Sequence, residues 1–166
     1  MSGTRRARRL AGRALVHAKA RRAKLSRTIF SRMPEGRRPQ ILVVDDDPDI
    51  LEALSEILEA EGYAVDRARH GQEALARLDQ RRPDLILLDL MMPVMDGWEF
   101  SQALHRRGDC DDVPVVVLSA DRQAGAKAHV VGARGFLAKP FELNELLRLV
   151  GDSISPAPPP AAPPAL

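Results

Sequence analysis

Three runs of four apolar residues punctuate the chain: Ile41-Leu42-Val43-Val44, Leu85-Ile86-Leu87-Leu88 and Val115-Val116-Val117-Leu118. Continuous, mostly branched runs of this length predict parallel strands covered on both faces. Tyr63 to Ala68 and Gly135 to Ala138 are weaker strand candidates. Between the runs, apolar residues recur at helical spacing, with Ile50, Leu54, Ile57 and Leu58 in one segment and Leu143, Leu146, Leu147 and Val150 in another. Asp47 ahead of Pro48 predicts a helix N-cap with proline at the first helical position, and Gly62 suits a left-handed cap at that helix's end. A β-then-α order repeated five times places the fold in the α/β class. It predicts a doubly wound, five-stranded parallel sheet with helices on both sides and right-handed crossovers.

With 166 residues and 45% hydrophobic content, the chain holds one ordinary domain plus extensions. A single cysteine, Cys110, excludes an internal disulfide, and the lack of a Cys/His cluster around it argues against structural zinc. Cys110 reads as a passive free thiol in a Gly/Asp-rich loop. No stretch approaches the run of about 18 apolar residues that spans a bilayer, and the N-terminus has no secretory h-region. A cytoplasmic setting is the expectation.

The formal charge of +2 hides a division. Residues 1–38 carry 13 Lys/Arg against one acid, Glu35, for a net +12, while residues 39–166 carry 12 Lys/Arg against 22 acids, for −10. The acidic part is the globule, expected over 39–154. Residues 1–38 read as a disordered or loosely helical basic extension. An arm for nucleic-acid phosphates, a contact with anionic membrane and an Arg-rich targeting segment are its functional readings. Against them stands a start-site artefact, because Met33 lies where the composition changes. Residues 155–166, with six prolines in twelve, read as a disordered, polyproline-rich tail.

In a doubly wound sheet, ligands bind outside the carboxyl ends of the strands. Here those ends are polar: Asp45-Asp46-Asp47 after the first strand, Asp89 after the third, Ser119 after the fourth and Lys139 after the fifth. Residues 44, 30 and 20 positions apart therefore converge on one rim. Gathered carboxylates repel one another unless a cation sits among them, and an all-oxygen donor set points to a hard divalent ion such as Mg²⁺. A carboxylate beside such an ion can act as nucleophile towards phosphorus, while an ammonium and a hydroxyl stabilise phosphoryl charge. Asp89, Lys139 and Ser119 suit those three roles. Taken singly, each residue has a plainer reading as a cap, a turn residue or a solvated charge, and the joint placement is the signal. Trp98 and Phe100 read as packing residues, and the scattered His17, His70, His105 and His129 as no ligand set.

From Gln40 to Ile154 the chain resembles the receiver domain of two-component response regulators. The matching motifs are Val43-Val44-Asp45-Asp46-Asp47, Leu88 through Gly97, Leu118-Ser119-Ala120 and Lys139-Pro140-Phe141. The resemblance implies strand order 2-1-3-4-5 and a CheY-like receiver. It also implies Asp89 as phosphoacceptor and Mg²⁺ held by Asp45, Asp46, Asp89 and the Met91 carbonyl. Ser119 and Lys139 then contact the phosphoryl group, Ser119 and Phe136 form a switch, and the Lys139-Pro140 bond is cis. Met91 and Asp121 occupy positions that tune phosphate lifetime. The implied partners are a sensor histidine kinase or histidine phosphotransfer protein, and a downstream protein bound around the fourth helix, fifth strand and fifth helix. The protein reads as a stand-alone receiver that modifies only itself and is not an enzyme acting on other substrates. Two alternatives remain at this point: a nucleic-acid-associated regulator using the basic arm, and a phosphatase of the haloacid dehalogenase type.

Overall fold

The computed structural model describes residues 37–121 and 132–154. The basic extension before residue 37, the segment between the fourth and fifth strands where a helix is expected, and the proline-rich tail lie outside the described residues. The elements in chain order are β1 (Gln40–Val44), α1 (Pro48–Ala60), β2 (Ala64–Ala68), α2 (Gly71–Gln80), β3 (Leu85–Asp89), α3 (Gly97–Arg107), β4 (Val115–Ser119), β5 (Gly135–Ala138) and α4 (Leu143–Ile154). The five strands form one parallel sheet in the order β2-β1-β3-β4-β5.

Side chains alternate across a strand, so each apolar run feeds two cores at once. Leu42, Val44, Ile86, Leu88, Val115 and Val117 pack with Ala74 and Leu78 of α2 and Phe100 and Leu104 of α3. Ile41, Val43, Leu85, Leu87, Val116 and Leu118 pack on the other face with Leu51, Leu54 and Leu58 of α1 and Leu146 and Val150 of α4. β2 is a polar edge strand, and Tyr63 falls just before it and is buried in the second cluster. Cys110 is a free thiol, as expected, but it is 3% exposed within the first core, and burial pushes it above the ordinary cysteine value. No helix among the described residues is long and apolar enough to cross a membrane.

The punctuation read from sequence is where it was expected. Asp47 caps α1, accepting from the N–H groups of Asp49 at 2.9 Å and Ile50 at 3.4 Å, and Gly62 takes φ 98 beyond the helix. The α2 cap is different: His70 is the N-cap, and its ring Nδ1 accepts from the Glu73 N–H at 3.3 Å. Glu73 answers by accepting the Arg69 N–H at 2.9 Å.

That backbone bond, opposed by partial burial and aided by the charges of Arg69 and Arg77, holds the Glu73 carboxyl below the usual glutamate range. A depressed folded value contributes stability above the unfolded carboxyl value of about 4.3, and loses it as pH falls through the folded value. Glu73→Ala is therefore expected to flatten the acid limb of the melting-temperature profile below about pH 4.3. Parallel acid limbs for variant and wild type would count against this role of Glu73.

Candidate functional site

The sheet register brings four strand ends to one edge. Val44 pairs with Leu88, Asp89 with Leu118, and Ser119 with Ala138, so Asp45, Asp89, Ser119 and Lys139 all leave the sheet at its carboxyl rim. The Lys139 N–H donates to the Ser119 carbonyl at 2.8 Å and ties β4 to the end of β5. The Lys139-Pro140 bond is cis.

Asp45 and Asp89 are held alike. Asp45 Oδ1 accepts from the Asp47 N–H at 3.0 Å, and Asp89 Oδ1 accepts from the Met91 N–H at 3.2 Å. Each Oδ2 faces the Lys139 ammonium, at 2.5 Å for Asp45 and 3.1 Å for Asp89. Asp45 is 1% exposed and Asp89 6%. Burial raises the Asp45 carboxyl above its ordinary value, against the opposing Lys139 hydrogen bond and charge and the Asp47 N–H. Burial alone pushes Lys139 down, but the bonds and charges of Asp45 and Asp89 outweigh it and hold the ammonium above the ordinary lysine value.

Asp46 completes the cluster. One carboxylate oxygen from each of Asp45, Asp46 and Asp89 lies within 4.8 Å of the others, and Asp46 is exposed at the mouth. Among the described residues the Lys139 ammonium contacts two of these three carboxylates, which leaves uncompensated negative charge in the cluster, and every donor is a hard oxygen. This set fits a divalent cation of the Mg²⁺ type, with Asp46 at the mouth to ligate and the buried pair already oriented.

The remaining expected residues are placed less directly. Ser119 is fully buried, and its Oγ accepts from the Asp121 N–H at 3.2 Å. Phe136 lies on β5 opposite Val117, half-buried against the α2/α3 core. The Met91 side chain is exposed, while its backbone is pinned to Asp89. Phe100 is buried and Trp98 half-buried, in keeping with packing roles.

The loop from Asp89 to α3 contains a feature that sequence reasoning missed. Val94 has φ 70, the left-handed region, and is 69% exposed. For a β-branched residue that conformation is a genuine outlier, costing about 1–2 kcal/mol. Asparagine tolerates it. Val94→Asn is expected to raise stability by about 1 kcal/mol, read as a higher urea midpoint at unchanged slope. A lower midpoint would show that Val94 is relaxed or that its side chain packs.

Comparisons with known proteins agree with this geometry. The response regulator receiver domain family matches residues 41–151. The transcriptional regulatory protein PrrA of Mycobacterium leprae is 47% identical over 117 residues, covering 68% of this chain and 48% of that protein. The chain thus spans about half the length of the curated relatives it matches. Among solved structures, Vibrio cholerae CheY4 superposes with a TM-score of 0.66 at 34% identity, covering 70% of this chain and 99% of its own. Thermotoga maritima TrrA, solved in complex with Mg(2+)-BeF, gives 0.63 at 33% identity over 69% of this chain and 98% of its own. A family match over most of the described residues and solved relatives that superpose along nearly their whole length lead to one assignment: the chain belongs to the response regulator receiver domain family of two-component signalling.

Proposed function

We propose that Asp89 accepts a phosphoryl group from a histidine kinase or histidine phosphotransfer protein, and that the modified receiver signals through a bound partner. The observation that carries this reading is the Lys139 ammonium bridging two buried carboxylates, 2.5 Å from Asp45 and 3.1 Å from Asp89, at the base of an acidic crevice. Asp45, Asp46, Asp89 and the Met91 carbonyl would hold Mg²⁺. When bound, the ion supplies positive charge that neutralises the phosphoryl oxygens and lowers their repulsion of the attacking carboxylate.

The protein's own groups do the rest. An Asp89 carboxylate oxygen forms a bond to phosphorus as the phosphorus–nitrogen bond of the donor imidazole breaks, and the departing imidazole takes up a proton. Lys139 turns from a carboxylate partner to a phosphoryl partner, and the Ser119 hydroxyl donates to a phosphoryl oxygen. Ordering of the Ser119 end of β4 then shifts the half-buried Phe136 ring and changes the partner surface around β5 and α4. The family assignment favours this self-modifying switch over the phosphatase alternative. The domain is proposed to run from 39 to 154, flanked by the basic and proline-rich extensions.

Acetyl phosphate with Mg²⁺ tests the reading directly. The wild-type chain is expected to gain the mass of one phosphoryl group, with a change in fluorescence of its single tryptophan, Trp98, and Asp89→Asn to gain none. An Asp89→Asn protein labelled as fast as wild type would overturn it. Phosphotransfer profiling against kinases and phosphotransfer proteins of the source cell then identifies the donor.

A further inference from the structure

Asp89 is delivered to the crevice by β3, but the loop that follows it is held from another part of the chain. The start of α2 lies against this loop, where the Gly71 N–H donates to the Met95 carbonyl at 3.0 Å. A Cβ on Gly71 would sit 2.5 Å from Met95 Cγ, 2.6 Å from its Sδ and 2.9 Å from Phe100 Cβ. Gly71 is therefore required for space. The Met95 side chain occupies the volume that any other residue at this position would need, and packs against the core containing Phe100.

The residues on either side of Met95 show how tightly the loop is specified. Val94 is kept at φ 70, and Asp96 is fixed by a capping box with Glu99. A left-handed β-branched residue persists only where its surroundings over-determine it. The contact from Gly71 is a restraint that reaches this stretch from outside β3 and α3. At the near end of the same loop, the Met91 N–H holds Asp89 Oδ1 at 3.2 Å.

We propose that Gly71 and Met95 form a brace that positions the Asp89 carboxylate for phosphoryl transfer, through the loop and without touching donor or metal. The inference rests on Asp89 being the phosphoacceptor. Displacing Met95 moves the loop, turns the Met91 N–H away from Asp89 and misaligns the attacking oxygen. Misplacement of this kind slows a reaction far more than it unfolds a protein.

The test compares wild type, Gly71→Ala, Met95→Ala and the double variant, each as the 166-residue chain, with acetyl phosphate at saturating Mg²⁺ and thermal melting in parallel. Met95→Ala is expected to slow the maximal labelling rate roughly tenfold while melting cooperatively, and Gly71→Ala to slow it at least as much. In the double variant the contacts of the added methyl with Met95 Cγ and Sδ are gone and only the one with Phe100 Cβ at 2.9 Å remains, so its rate exceeds that of Gly71→Ala. A purely structural role would lower melting temperatures and leave the folded variants labelling at the wild-type rate, and that outcome overturns the brace. So does a double variant no faster than Gly71→Ala, and if Gly71→Ala fails to fold, Met95→Ala labelling at the wild-type rate decides the matter. A wild-type chain that takes no phosphoryl group removes both the Asp89 reading and the brace, whereas wild-type labelling with equal rates in all variants removes the brace alone.

Discussion

In buffer free of divalent cations, Lys139→Ala is expected to be about 3 kcal/mol less stable than wild type, and Mg²⁺ to return most of that difference. The size follows from burial: the Lys139 side chain is 16% exposed, that of Asp45 2% and that of Asp89 9%. Truncating one member of a buried ion pair leaves its partners desolvated and uncompensated, which is far costlier than losing an exposed pair. Here two carboxylates lose the same cation and repel each other as well. A divalent ion bound among Asp45, Asp46 and Asp89 would replace the lost charge, so the variant is expected to gain more stability from Mg²⁺ than wild type does. Urea melts in chelator and in Mg²⁺ measure both quantities. Equal midpoints for the two proteins in chelator would mean that the ammonium contributes nothing to holding the acids together.

Gly97→Ala is expected to cost about 3 kcal/mol and to suppress phosphoryl acceptance, because the added methyl has no room. Its Cβ would lie 2.5 Å from the Asp89 carbonyl oxygen and 2.7 Å from Leu90 Cα. Both are backbone atoms, so a side-chain rotation cannot relieve the contact. The Gly97 N–H also donates to the Leu90 carbonyl at 3.1 Å, drawing the start of α3 against the residue that follows Asp89. Gly108 is the informative control. It ends α3 at φ 71 with open space around it, so Gly108→Ala meets backbone strain of about 1 kcal/mol and no clash. Similar midpoints for the two alanine variants would show that α3 and β3 can separate at little cost.

The strands facing both cores were legible because burial on two sides confines polar residues to the strand ends. β1, β3 and β4 read as unbroken apolar runs for that reason, and the alternation that sorts Leu42 from Val43 is invisible until the helices are placed. β2 was weaker in sequence because Asp66 and Arg67 sit on an edge strand. The strand order came from resemblance, and the sheet has that order. The acidic cluster was legible because its members terminate strands, so placement on the rim follows from the fold class. What sequence concealed were contacts between loops. Gly71 and Met95 belong to no common period, and nothing in their spacing signals that one residue's missing side chain accommodates the other's. His70 escaped notice as a helix cap because Ser, Thr, Asp and Asn are the usual residues there. Val94 escaped because a β-branched residue is the last to be expected at positive φ.

Reductive mapping of the labelled chain decides whether Asp89 is the acceptor. Borohydride converts an aspartyl phosphate to homoserine, and peptide sequencing by mass spectrometry locates the converted position. After acetyl phosphate and Mg²⁺, conversion is expected at Asp89 alone. Conversion at Asp45, Asp46 or another acid, or none in a folded sample beside a labelled control receiver, would refute the assignment.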